Sequence, residues 1–96
     1  MKNKFKFQSS LAINYEVSFD FNPRNQEISN LEVYCPQHDH LGEISNSELG
    51  FGKKFDCKFA YDVPFQIQIF TGYNGSNKIS IEVFEIRPVK IFSQNI

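Results

Sequence analysis

The chain has 96 residues, ten of them basic and eleven acidic, for a net charge of −1; that is room for one domain, without the basic excess of a dedicated nucleic-acid binder. Hydrophobic residues make up 41% and charged residues 22%, which is the balance of a globular chain rather than a disordered one. No apolar run approaches the roughly 18 residues of a transmembrane helix, so no membrane partner is expected.

The kind of apolar residue matters more than the amount. Phe (11) and Ile (10) far outnumber Leu (4) and Ala (2). Aromatic and β-branched side chains fit a pleated surface, whereas Leu and Ala favour helix, so the composition points to strands. Lys4–Phe7 alternates charged and aromatic residues, and Ser9-Ser10 reads as a bend. From Leu11 to Phe21 the pattern is strict period 2. Leu11, Ile13, Tyr15, Val17, Phe19 and Phe21 form one side of a half-buried strand and Asn14, Glu16, Ser18 and Asp20 face the other way. Asn22-Pro23-Arg24-Asn25 is a turn, because Pro pre-sets φ and Asn tolerates the left-handed region.

Ile28 to Cys35 reads as the next strand, with Leu31, Val33 and Cys35 inward and Glu32 and Tyr34 outward; Pro36 ends it. Pro36 to Gly52 lacks clear periodicity. Ser45-Asn46-Ser47-Glu48 has the spacing of a helix capping box, but Gly50 follows at once, so at most one short helical turn is expected there. Phe55, Cys57, Phe59 and Tyr61 alternate with polar residues as another strand, and Val63-Pro64 marks a bend. Phe65, Ile67 and Ile69 form one strand, and Ile79, Ile81 and Val83 form the next. Between them, Asn74-Gly75 within Thr71–Asn77 is a type I′ hairpin signal. Val89 to Phe92 adds a short edge strand after Pro88, and Ser93 to Ile96 is expected to fray. Together these elements predict one all-β domain over residues 1–96, an antiparallel sandwich or small partly open barrel of about six or seven strands.

The basic start, Met1-Lys2-Asn3-Lys4, is not followed by an apolar stretch of secretory length, and no lipidation motif is seen. The expectation is therefore a cytoplasmic protein with reduced cysteines. Cys35, His38, His40 and Cys57 are chemically competent zinc ligands, and a zinc domain built on them is one alternative. Their spacing is irregular, and both cysteines fall on inward positions, where they act as small hydrophobes; no metal or other cofactor is expected. Catalysis by a Cys–His pair needs an exposed, activated thiolate, which inward cysteines do not offer. Glu82 and Glu85, like Asp56 and Asp62, read as solvating sheet faces. No phosphate-binding loop, dinucleotide fingerprint or nucleophile elbow is present.

Lys2, Lys4 and Lys6, with Lys53, Lys54 and Lys58 near aromatic residues, raise a second alternative, a single-stranded nucleic-acid-binding barrel. Glu16, Asp20, Glu32 and Asp56 on neighbouring outward positions cancel that field, and lysines on an edge strand also discourage unwanted pairing. The remaining clue is aromatic exposure. Phe51, held between two glycines, and Tyr34, Phe70, Tyr73 and Phe84 fall on loop or outward positions, where aromatics serve as binding anchors; Phe51 as the plug of a barrel end is the structural alternative. With Lys53 and Lys54 beside them, they lead to the expectation of a non-enzymatic module that binds another protein or protein complex. Loops and edge strands would form its contact surface, and a homo-oligomer through edge strands is a further reading. Asn, Lys, Ile, Phe and Tyr make up 42 of the 96 residues, a usage common in AT-rich genomes. An inhibitor or adaptor encoded by a phage or mobile element, acting on a host complex, is the concrete form of this expectation.

Overall fold

The computed structural model describes residues 1–72, 78–86 and 88–95, and every regular element among them is a strand: β1 Lys2–Gln8, β2 Asn14–Asn22, β3 Glu27–Cys35, β4 His40–Leu41, β5 Glu43–Glu48, β6 Gly52–Lys58, β7 Phe65–Thr71, β8 Ile79–Glu85 and β9 Val89–Asn95. They form two antiparallel sheets, β1-β2-β3-β4 and β5-β6-β7-β8-β9. Each strand pairs with its chain neighbour, as short turns dictate. The all-β antiparallel expectation is met, as a sandwich. The Asn74-Gly75 turn lies outside the described residues.

Alternation builds the core. Phe5 and Phe7 of β1, Tyr15 to Phe21 of β2, and Val33 and Cys35 of β3 face Phe55 and Cys57 of β6, Phe65 to Ile69 of β7, and Ile79 to Val83 of β8, all buried in one cluster. Rings join the two sheets at one end. Phe65 of β7 meets Phe7 edge-on at 5.1 Å and Tyr15 at 4.9 Å, and Phe92 of β9 stacks on Phe5 at 5.4 Å. Such ring pairs stabilise by about 0.5–1.5 kcal/mol each beyond the area they bury. Gly42 carries the chain from one sheet to the other. Its N–H donates to the Val33 carbonyl at 3.0 Å, and the Phe59 ring packs so closely on its backbone that a Cβ there would collide with the ring.

Several expectations need correction. Leu11 is exposed, not inward, because residues 9–13 form the β1–β2 turn. Ser9 N–H donates to the Ile13 carbonyl, Ala12 takes φ 62°, and β2 starts only at Asn14. The Ser45–Glu48 segment is not a helical turn but most of β5, paired with β6 from Glu43 opposite Lys58 to Glu48 opposite Lys53. This segment and β4 raise the strand count among the described residues to nine. The strand expected to reach Tyr61 ends at Lys58, where a turn closes with Asp62 N–H donating to the Phe59 carbonyl. The tail does not fray through Asn95, since Ser93, Gln94 and Asn95 pair with Glu82, Ile81 and Ser80.

Bulges adjust two pairings. On β3, Asn30 and Leu31 together face Phe19, because Ser18 pairs with Glu32 and Asp20 with Ser29. Asn30 takes φ 53° and its amide donates to Asp20 Oδ2 at 2.9 Å. An extra residue of this kind shifts the alternation by one, so Ile28 and Val33, five positions apart in sequence, both reach the core.

Candidate binding surface

The proposed metal ligands do not assemble. Cys35 and Cys57 are free and buried, whereas His38 and His40 are exposed. His38 stacks on the Tyr61 ring with centroids 3.7 Å apart, and His40 meets the edge of Phe59 at 5.8 Å. Among the described residues no group of three His, Cys, Asp or Glu side chains stands close enough to hold an ion. Burial, with a smaller contribution from the Asp56 charge, pushes the Cys57 thiol up to about 12. A thiol so placed is a structural hydrophobe rather than a nucleophile. The Tyr61 hydroxyl is occluded without a well-formed hydrogen bond and lies against the Cys35 thiol; burial first, and that thiol next, hold its ionisation above the ordinary phenol range.

The aromatic and basic candidates are dispersed. Tyr34 lies on the outer face of the four-stranded sheet, and its hydroxyl donates to Asp39 Oδ1, the main reason its ionisation is raised. Phe70 and Lys54 lie on the outer face of the other sheet. Phe51 sits in the β5–β6 turn and is 55% exposed, so it does not plug the sandwich; its carbonyl accepts from both the N–H and the hydroxyl of Thr71. Lys53 is not a free surface cation. It continues the inward row of Phe55 and Cys57, and its Nζ donates to the Ile28 carbonyl of the opposite sheet at 3.0 Å. Tyr73 lies outside the described residues. Two of the three lysines of β1 face acids across the pair, Lys2 opposite Asp20 and Lys6 opposite Glu16, while Lys4 faces Ser18, so no uniform basic field develops there.

Glu85 corrects another expectation. It is buried on the inner face at 8% exposure, and its carboxylate accepts from the Ser10 hydroxyl at 2.8 Å and the Ser10 N–H at 3.2 Å, tying β8 to the β1–β2 turn. Asp62 is similar. It accepts from the buried Tyr15 hydroxyl at 2.5 Å and from Val63 N–H at 2.7 Å. Burial, then this bond to Asp62, hold the Tyr15 phenol above its ordinary range.

One concavity is not announced by the sequence. A groove of about 760 Å³ crosses the outer face of the five-stranded sheet from β5 to the β8–β9 turn. Pairing puts Asp56, Gln66 and Phe84 in one row across β6, β7 and β8. Gln68 donates to Gln66 and Gln66 to Asp56, both at 2.8 Å, making a polar ladder along the floor. Beside it, Phe84, Pro64, Ile86 and Pro88 make an apolar wall. Lys90 pairs with Glu82 at 2.5 Å and lies 5.9 Å from the Phe84 ring centre. The outward parity of Phe84 is readable in the sequence; the gathering of Pro64, Ile86 and Pro88 around it is not.

The fold and this surface define a small β-sandwich with an open, mixed polar and apolar groove. Comparison with known proteins finds no matching family, no similar curated protein and no similar solved structure. No helix among the described residues is long and apolar enough to cross a membrane.

Proposed function

We propose that this chain is a non-enzymatic module that binds another protein, and that the groove on the outer face of the five-stranded sheet is its main contact surface. The observation that carries this reading is the apolar wall of the groove. Ile86, 67% exposed, stands beside Phe84, Pro64 and Pro88 on the outer face of the five-stranded sheet. Apolar side chains clustered and rimmed by polar groups are the pattern of protein contact surfaces, with one or two anchors carrying most of the energy. The role is that of an inhibitor or adaptor, of the kind a phage or mobile element directs at a host complex. A cytoplasmic setting suits its two free thiols.

The test compares Ile86→Asp with Leu11→Asp. Both alter exposed positions, but Leu11 lies in the β1–β2 turn, outside the groove. The wild-type chain should retain a stoichiometric partner from native-host extract, Ile86→Asp should weaken it by about 30-fold or more, and Leu11→Asp should not. Absence of any stoichiometric partner, or equal retention by both variants, refutes the reading.

A further inference from the structure

The groove on the outer face of the five-stranded sheet is laid out in rows that cross the strands. Asp56, Gln66 and Phe84 make one row, with Lys90 next to Phe84 on β9. A second row lies one step nearer the turns. Ile86 N–H donates to the Pro64 carbonyl at 3.2 Å, which sets these two residues side by side on the face that carries Gln66 and Phe84, and Pro88 lines the groove with them. In the ladder Gln68 donates to Gln66 and Gln66 to Asp56. Each amide nitrogen has two hydrogens and uses one there; among the described residues the second has no acceptor. Asp56 likewise keeps Oδ2 open. Across the strands Asp56 stands between Ser45 and Gln66, whereas Glu43 has Lys58 opposite it. Lys54 and Lys58 lie two residues from Asp56 on its own strand, and among the described residues neither forms an ion pair with it.

These rows discriminate between the backbone forms a partner can bring. An added β-strand needs the open N–H and C=O groups of a strand edge, and this groove lies on a face. An amphipathic helix would press an apolar stripe on the floor and bury Gln66, Gln68 and Asp56 without partners. A polyproline II segment avoids both costs. It has no internal hydrogen bonds, so its carbonyls can accept from the ladder amides, and its prolines bring no N–H groups that need acceptors. Its period also fits. Neighbouring strands lie about 4.8 Å apart, so the row from Phe84 to Asp56 spans about 9.6 Å. One turn of polyproline II, three residues, advances about 9.3 Å and returns the side chain to the same side.

We propose that the groove takes a proline-rich segment of the partner protein in the polyproline II form, running across the strands, with a proline against Phe84, Pro64 and Ile86 and a lysine or arginine three residues away over Asp56. This deepens the binding-module reading and rests on it. The carbonyls between those two residues pass over the ladder and accept the second amide hydrogens of Gln66 and Gln68. The charge preference comes from the lining. Lys58 stands opposite Glu43, which leaves Asp56 as an exposed carboxylate with neutral residues on both sides across the sheet, so a cation gains there and an anion loses. A second copy of the chain is a poor occupant, because Pro23, Pro36, Pro64 and Pro88 are far apart in the sequence and make no proline-rich segment.

The probe is the capped hexapeptide Pro-Pro-Ala-Pro-Arg-Pro, titrated into the isotope-labelled protein and followed by NMR of the backbone amides and of the side-chain amide signals of Gln66 and Gln68. Those side-chain signals and the Ile86 amide should shift saturably, while the amides of β1 and β2 in the other sheet stay in place. Replacing the peptide's arginine by glutamate should weaken binding by about 2- to 30-fold. Asp56→Asn, which keeps an acceptor for Gln66, should reduce that ratio by about twofold or more. Replacing the four prolines by glycine removes the preset backbone and should weaken binding by about tenfold or more. No saturable shift at millimolar peptide, equal binding of the glycine peptide, or a charge preference unchanged in Asp56→Asn overturns the proposal. So do the same shifts on concentrating the protein alone, which would make a second copy the occupant. Its failure is distinguishable from failure of the binding-module reading. A partner from host extract that is lost by Ile86→Asp but not displaced by excess proline peptide sinks only the polyproline assignment, whereas a wild-type chain that retains no partner sinks the module.

Discussion

The buried thiol of Cys57 should make this fold lose stability in alkali, by an amount the structure sets. Cys57 is 2% exposed on the inner face of β6, and its Sγ is 3.7 Å from the Phe55 carbonyl. Burial first, then the Asp56 charge, raise its ionisation from the ordinary 9.0 to about 12. Below the lower value the thiol is protonated in folded and unfolded chains alike, so its contribution is fully present. Above it the unfolded chain releases the proton while the folded chain holds it, and stability falls until the folded thiol also ionises. Linkage puts the loss from this one group at roughly 1 kcal/mol by pH ~10 and roughly 3 kcal/mol by pH ~11. The assay is urea unfolding of wild type and Cys57→Ala from about pH 8 to about pH 11. The variant carries a constant offset for the atoms removed. Tyr15 and Tyr61, whose raised ionisation acts in the same direction, are present in both chains and cancel in the difference. The stability gap should change across this range by the amounts above, with wild type losing more. Parallel curves would refute the reasoning, because they would mean that the thiol ionises equally easily in both states.

Other positions test packing and polar satisfaction. Phe19→Ala removes a fully buried ring opposite the β3 bulge and should cost about 3–5 kcal/mol, lowering Tm by at least about 12 °C in thermal unfolding. Phe51→Ala, at 55% exposure, should stay within about 1 kcal/mol in the same measurement. Gly52→Ala drives a Cβ into the Ile69 carbonyl across the β6–β7 pair and should cost about 1–3 kcal/mol by urea midpoint. Glu85→Ala strips the Ser10 N–H and hydroxyl of their acceptor and should cost about 1–3 kcal/mol, with faster exchange of the Ser10 amide as the local signature.

What the sequence discloses depends on how differently a strand's two faces are treated. β2, β7 and β8 have one face in the core and one outside, so burial writes a period of two into their residues, and they are legible. β5 lies at the margin, where only Ile44 is half-buried and every other position meets water. The hydrophobic effect imposes no alternation there, so a strand reads as Ser-Asn-Ser turn chemistry. Asp62 and Glu85 fail for the complementary reason. A carboxylate that accepts hydrogen bonds from Tyr15 or Ser10 is tolerated inside, and those donors lie 47 and 75 residues away in sequence. Lys53 was the readable exception, since its position in the row with Phe55 and Cys57 is inward by simple alternation.

The site divides along the same line. The outward setting of Phe84 is local, set by the parity of β8. The groove is not, because it exists only once Asp56, Gln66 and Phe84 are brought into one row by two strand pairings and the β8–β9 turn lays Ile86 and Pro88 beside Pro64. The guarding of the edges follows a third logic. Lysines on β1 and an irregular pairing on β9 bury nothing and form no site; their effect is on what does not bind. β1 also meets β9 through Phe5 and Phe92, so that side of the sandwich is partly closed by packing as well as by charge.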